Sequence, residues 1–475
     1  METIPNERAR GLSKSYIKVN VLVDMWRFLL LAPVLGQLFQ SVTTEYHDEI
    51  PLETIGALPP LHGTLYRNGF GKFEGHGFTF THLFDTMALL LSFRIEDGSV
   101  WSRVRLLDSD YKHDAEKTLP LYRTLDGTVP PPDWRALVHG LHDNRNGNLV
   151  PYGDILMAIN DMAGGVLVDA TLNVVGSFTP SWLAIMSSTH PMVHRWTQAT
   201  YNYELNVAGY YEIYKLEGTQ RTTVSRIPVD TFSLIHSFSI TEQYLVLAVY
   251  PTQWNASALL ETSILPHVVW NDTTPTRFYL VHLATGDVSW MESDPVFAFH
   301  HVNAYEQGKT IILDMIVYPN HDVFHSLTLD QVRTQPFPGG TVRRYVLHLD
   351  TGHVTWQSLG FPSVEMPSIH PAYQSVAYEY MYGMGVDETP RLYQFHVPSG
   401  QKRVWMEPDQ YPTEPVFVAT GDNETDGVLL SVVLDEPRQR SYLLFLDTDM
   451  NVLAKAYVPS VVPFTCHGFF QHIDL

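Results

Sequence analysis

Cys466 is the only cysteine in 475 residues, so the chain has neither a disulfide framework nor a cysteine-rich metal site. That usage is compatible with a reducing, cytoplasmic compartment. Positive charge is scarce as well: 30 Lys and Arg stand against 51 Asp and Glu, for a formal net charge of -21. No Lys/Arg cluster interrupts the acidic balance, so a phosphate backbone would be repelled and nucleic acid is excluded as a partner. Charged residues are only 17% of the chain and aromatic residues 12%, the balance of a globular protein with a large packed interior.

Long hydrophobic runs are missing too. The most apolar stretch, WRFLLLAPVLGQLF at 26–39, is shorter than the roughly 20 residues that span a bilayer and is interrupted by Pro33. Asp24 precedes it where a secretory signal would carry basic residues. Residues 1–45 therefore read as an N-terminal helical segment. Its apolar part is either buried or dips into a membrane as a peripheral contact.

What is present is a recurring hairpin. VLVDATLNVVGSF at 166–178, YLVHLATGDVSW at 279–290, YVLHLDTGHVTW at 345–356, LYQFHVPSGQKRVW at 392–405 and LLFLDTDMNVLAKAYV at 443–458 each place a polar turn between two β-rich stretches. Three of them turn at Thr-Gly or Ser-Gly, where glycine supplies the positive φ of a tight turn. Measured from Thr285, Thr351, Ser399 and Asp449, the spacings are 66, 48 and 50 residues. Units of this size suit four-stranded propeller blades, roughly seven or eight for a chain of this length. A two-sheet sandwich does not explain the regular spacing.

Four histidines stand at the edges of strand-like stretches: His190 in SSTHP, His236 in IHSFSITEQY, His300 in FHHVNAYE and His467 in FTCHGFF. They are separated by 46, 64 and 167 residues, so no single loop or helix unites them and a common site needs the whole fold. Any one histidine near a strand is more often a hydrogen-bonded core residue than a ligand. Recurrence at matched blade positions favours convergence on the axis. An all-imidazole set suits Fe, Cu, Ni or Zn. Four ligands would saturate a structural zinc but leave two positions open on six-coordinate iron, so iron is favoured if the site is catalytic. Metal-bound histidines usually donate their second N–H to a carboxylate, and Glu365, Glu414 and Asp161 lie in strand-like contexts that suit this role.

The run LHGTLYRNGFGKFEGHGFTFTHLFDTMALLLSFRIEDGSVWSRVRLLDSDY at 61–111 resembles the N-terminal signature of the carotenoid cleavage oxygenases. THP, IHSFSITEQY, FHHVNAYE and HGFF resemble that family's iron-ligand motifs in order, and MEPDQYPTEPVFV matches as well. The resemblance runs from about residue 50 to 475. It implies an all-β, seven-bladed propeller with a helical and loop cap over one face, forming one catalytic domain over 46–475. It also implies Fe(II) on the axis, held by His190, His236, His300 and His467 rather than by His194 or His301. Glu365, Glu414 and Asp161, or Asn160 beside it, fall at the supporting carboxylates, where the family carries a third glutamate. A further departure is Thr86, where relatives have glycine after His-x-Phe-Asp.

The implied activity is cleavage by dioxygen of a C=C bond in a conjugated apolar substrate, a carotenoid or apocarotenoid, giving two carbonyl products. Stilbene cleavage, retinoid-type isomerisation and a non-catalytic binding propeller are the alternatives. Stilbene-cleaving relatives grip a phenol with Lys and Tyr, and this chain has nine lysines with none in the LMAIND strand.

Overall fold

The computed structural model describes residues 36–117, 142–254, 263–386 and 389–473. Seven antiparallel sheets radiate around one axis as the blades of a propeller. Blade 1 orders its strands, from rim to axis, as Tyr46–Pro51, Ser99–Leu106, Met87–Glu96, Gly63–Lys72 and Thr465–His472. Blade 2 starts at the axis with Asn148–Tyr152 and ends at the rim with Val174–Phe178. Blades 3, 4, 5 and 6 follow in chain order, with axial strands Ala184–Ser187, Ser239–Ile240, His301–Gln307 and Val364–Ser368. Blade 7 carries Gln410–Pro412 and Val416–Ala419 at the axis and Glu53–Gly56 at the rim.

The ring is closed twice. The C-terminal strand Thr465–His472 pairs with Gly63–Lys72 in blade 1, and Glu53–Gly56, from near the N-terminus, pairs with Val452–Tyr457 in blade 7.

Burial follows position within the blade. Middle strands such as Thr310–Val317 and Gly427–Asp435 are buried on both faces between neighbouring blades, which explains their near-continuous apolar sequences. Rim strands such as Val354–Ser358 are largely exposed. The five hairpins expected from sequence are the outer strand pairs of blades 2, 4, 5 and 6 and, in blade 7, the pair just inside the rim strand Glu53–Gly56.

Short helical segments gather over one end. Leu83–Asp85, Leu265–His267, His321–Leu327 and Leu329–Thr334 all contribute there, and His82 bridges to Thr328. Of the apolar 26–39 stretch, residues 26–35 lie outside the described residues. Its last residues turn inward: Leu38 and Phe39 are buried, and Phe39 stacks on Phe464 with ring centroids 5.5 Å apart. Among the described residues, no helix is long and apolar enough to cross a membrane.

Candidate metal centre

Each of the seven blades sends one chemistry-bearing residue to the axis. His467 lies on the axial strand of blade 1, and His190 sits where the axial edge of blade 3 breaks between Ala184–Ser187 and Met192–Val193. His236 and His300 immediately precede the axial strands of blades 4 and 5. Asp161 leaves blade 2, Glu365 lies on the axial strand of blade 6, and Glu414 joins the two axial strands of blade 7.

The four imidazoles meet. Their ligand atoms all lie within 4.8 Å of one another. His190 Nε2 is 3.1 Å from His236 Nε2, and His300 Nε2 is 3.4 Å from His467 Nε2. The other ring nitrogen is held from behind in three of the four. Asp161 Oδ2 accepts from His236 Nδ1 at 2.8 Å, Glu365 Oε2 from His300 Nδ1 at 2.5 Å, and Glu414 Oε1 from His467 Nδ1 at 2.7 Å. Among the described residues, His190 has no carboxylate partner.

Asn160 turns away, its amide donating to Asn144 O and its carbonyl accepting from Arg145. His194 bonds Thr197 and the carbonyl of Glu242, and His301 bonds Ser239 and Tyr250. None of these three joins the cluster.

Sequence reasoning passed over the residues that grip the carboxylates. Arg67, 1% exposed, donates to Glu414 Oε2 at 2.5 Å and to Cys466 O at 2.7 Å. Tyr318 Oη donates to Glu365 Oε1 at 2.6 Å, and Thr189 Oγ1 donates to Asp161 Oδ1 at 2.5 Å. Arg67 carried a signal: a lone guanidinium inside the apolar strand GTLYRNGFGK requires a buried anion. Tyr318 and Thr189 carried none. Thr86 replaces the expected glycine without strain, because its φ is -71° and its hydroxyl donates to Leu83 O at 2.7 Å.

Burial sets the electrostatics. It pushes His190 and His467 well below the ordinary histidine value, and the neighbouring imidazoles push the same way. Burial also works against ionisation of Glu365, but the His300 ring and the hydrogen bonds from His300, Tyr318 and the Met366 amide outweigh it and hold the carboxyl below its usual value. For Glu414 burial wins over Arg67, and the carboxyl is raised.

This arrangement suits a divalent cation. With Nδ1–H of His300 and His467 donated to carboxylates, their Nε2 lone pairs face each other across 3.4 Å. Lone pairs so placed repel unless a cation lies between them. Nitrogens on adjacent corners of a metal site sit about 3 Å apart. The three acids and Arg67 give three negative charges against one positive when all are ionised, a surplus around the cluster that a divalent ion would cancel.

A cavity of about 160 Å³ adjoins the cluster and is walled mainly by apolar groups, among them Phe84, Phe297, Phe299, Phe324 and Phe337. His236, His300 and His467 form part of its surface. On the other side, His190, His300 and His467 border a second cavity of about 230 Å³, lined by Asn148, Ser237, Ser239 and Gln374.

The chain is similar to known proteins over most of its length. The chain is 27% identical to carotenoid cleavage dioxygenase 8 homolog A, chloroplastic, of Oryza sativa subsp. japonica, covering 89% of this chain and 85% of the relative. It is 25% identical to beta,beta-carotene 15,15'-dioxygenase of Mus musculus, over 91% of each. Its fold matches that of a Synechocystis apocarotenoid oxygenase variant with a TM-score of 0.82, at 23% identity and covering 93% of this chain and 99% of that one. The cobalt-substituted Synechocystis enzyme superposes with a TM-score of 0.83 at 22% identity, with the same coverage. The sequence pattern of the family described as retinal pigment epithelial membrane protein matches residues 39–472 and so includes every residue of the cluster; the chain belongs to that family, the carotenoid oxygenases.

Proposed function

We propose that this protein is a non-haem Fe(II) dioxygenase that splits a C=C bond of a carotenoid or apocarotenoid with O₂, each alkene carbon taking one oxygen atom to give two carbonyl products. The observation that carries this reading is the convergence of four imidazoles, three of them backed by carboxylates, on the wall of an apolar cavity. Iron held by His190, His236, His300 and His467 would supply the redox chemistry toward dioxygen, because four ligands leave positions open on a six-coordinate ion.

The chain's own residues do the rest. Asp161, Glu365 and Glu414 hold the Nδ1 protons, which fixes the tautomers and points each Nε2 inward. The phenylalanine wall excludes water and offers flat apolar faces to a polyene; Phe299 lies 5.0 Å from both Phe297 and Phe324, centroid to centroid, and 5.6 Å from the ring of His236. No side-chain acid or base is needed.

We also propose an N-terminal helical segment over residues 1–45 with a peripheral membrane contact in its apolar 26–39 stretch, ahead of the buried Leu38 and Phe39, preceding a catalytic domain of residues 46–475 in a reducing cytoplasm. The curated relatives named above support an apolar substrate.

The test is anaerobic reconstitution with Fe(II), followed by O₂ with β-carotene, an apocarotenal and resveratrol in parallel, products being separated by chromatography. Paired carbonyl products are expected from a carotenoid or apocarotenal and none from resveratrol. Glu365→Gln should lower turnover by about 10–100-fold, and His300→Ala should abolish it. Cleavage of resveratrol alone would assign the stilbene reaction instead, and full activity in His236→Ala would remove that residue from the ligand set.

A further inference from the structure

Asp161 is one methylene shorter than the glutamates that back the other two supported histidines, yet it reaches His236 Nδ1 with both carboxylate oxygens, at 2.9 and 2.8 Å. Its backbone is anchored in blade 3, where Ser187 N donates to Asp161 O at 2.9 Å and Met162 bridges to Met186. Its side chain is oriented by one further group. Thr189 Oγ1 donates to Asp161 Oδ1, the oxygen that also faces His236.

Three consecutive residues thus serve the same histidine. Ser188 Oγ donates to the carbonyl of His236 at 2.7 Å and accepts the amide of His190 at 2.9 Å. Thr189 holds the carboxylate behind His236, and His190 meets His236 ring to ring at 3.1 Å.

Space for Thr189 comes from blade 2. A Cβ at Gly147 would stand 2.8 Å from Thr189 Cγ2, 3.0 Å from Ile159 O and 3.1 Å from the Cα of Asn160. Any side chain at 147 would therefore displace the threonine methyl, and with it the hydroxyl. Gly147, Asp161 and Thr189 all line the apolar cavity.

We propose that Thr189 is a positioning residue for the metal centre: its hydroxyl steers the short Asp161 carboxylate onto His236, and Gly147 leaves the room its methyl occupies. Asp161, Thr189 and Gly147 form one co-adjusted set. The proposal rests on the metal centre proposed above.

Its test uses metal-free full-length protein titrated anaerobically with Co(II), reading affinity by chelator competition and ligand geometry by the visible d–d bands. Thr189→Val keeps the shape but cannot donate; it should weaken Co(II) binding about tenfold, the lower end for loss of a partner behind a ligating histidine, and shift the bands. Thr189→Ser restores the donor and should bind within about twofold of the wild type. Asp161→Glu drives the carboxylate into Thr189 and should weaken binding about tenfold, and Asp161→Glu with Thr189→Ala should recover most of that loss.

Co(II) binding by Thr189→Val within about twofold of the wild type, with unchanged bands, overturns the proposal. So do simply additive losses in the double variant, which decides alone if Thr189→Val does not fold. His300→Ala separates the two levels. Loss of Co(II) binding there, with intact binding in Thr189→Val, overturns only the positioning role. Retained binding in His300→Ala overturns the metal centre itself and this role with it.

Discussion

Each carboxylate behind the cluster has a second partner of a different kind: a hydroxyl for Asp161, a phenol for Glu365 and a guanidinium for Glu414. Only the last makes a buried ion pair. Arg67→Met would leave Glu414 without its counter-charge and is expected to cost about 3–5 kcal/mol, seen as a lower urea midpoint; an unchanged midpoint would show that the pair contributes nothing net. Other buried histidines set the response to acid. Burial lowers His82 to about 4 and His142 to about 3. Both stay neutral in the folded protein while the unfolded chain takes up protons below about 6.5, so their stability contribution is complete above that pH and falls as the pH drops toward 4. Metal-free protein should lose about 1 kcal/mol per histidine between pH 7.5 and 5.5. Urea melts at the two values check this, and equal midpoints would contradict it. These histidines looked no different in sequence from those of the cluster, because burial is a property of the fold and not of the residue.

At the scale of elements, the rim hairpins show how far local chemistry reaches. The Thr-Gly and Ser-Gly turns place Gly286, Gly352 and Gly400 at φ of 75°, 69° and 69°, which is why they were legible from the sequence. Two other rim hairpins turn through Leu172 and Met450, at φ of 65° and 70°, with Asp169 and Asp447 holding the turns by accepting from the amides of Asn173 and Asn451. The glycines are not equivalent. A Cβ on Gly352 meets nothing within 4 Å, whereas one on Gly286 would stand 2.5 Å from Val224 O of the neighbouring blade. Gly352→Ala should cost about 1 kcal/mol of left-handed strain, and Gly286→Ala clearly more, since it also parts blade 3 from blade 4. Denaturant melts of the two variants give the comparison, and equal losses would refute the contact. The rim strands also carry exposed tryptophans under arginine planes. Arg277 lies 4.5 Å over Trp290 and Arg343 3.8 Å over Trp356, placing charge on strands whose outer edges would otherwise invite pairing.

For the whole molecule, the candidate metal centre and ring closure involve the same strand. Thr465–His472 both completes blade 1 and presents His467. An ion held by His190, His236, His300 and His467 would tie blades 1, 3, 4 and 5 of the ring together. Binding to the folded state alone stabilises it by about 4 kcal/mol when the free metal is a thousand times its Kd. Anaerobic Fe(II) should therefore raise the melting temperature of metal-free protein by several degrees, and His467→Ala should abolish the rise. A melting temperature insensitive to metal in the wild type would contradict the centre.

Much of this was legible along the chain. β-rich stretches, glycine turns and a repeat of roughly 50–65 residues are visible along the chain, and they point to blades because β propensity and turn conformation act over a few residues. The histidines and carboxylates were identifiable as types, and the resemblance supplied their grouping. Tertiary structure alone decided which acid stands behind which ring: blade 2 serves the histidine of blade 4 through Asp161, whereas Glu365 and Glu414 serve the blades next to their own. It alone placed Arg67, Tyr318 and Thr189 behind those acids, because such contacts join residues up to 347 positions apart. A hydrogen bond depends on distances of a few tenths of an ångström, and only the closed ring of seven blades sets those.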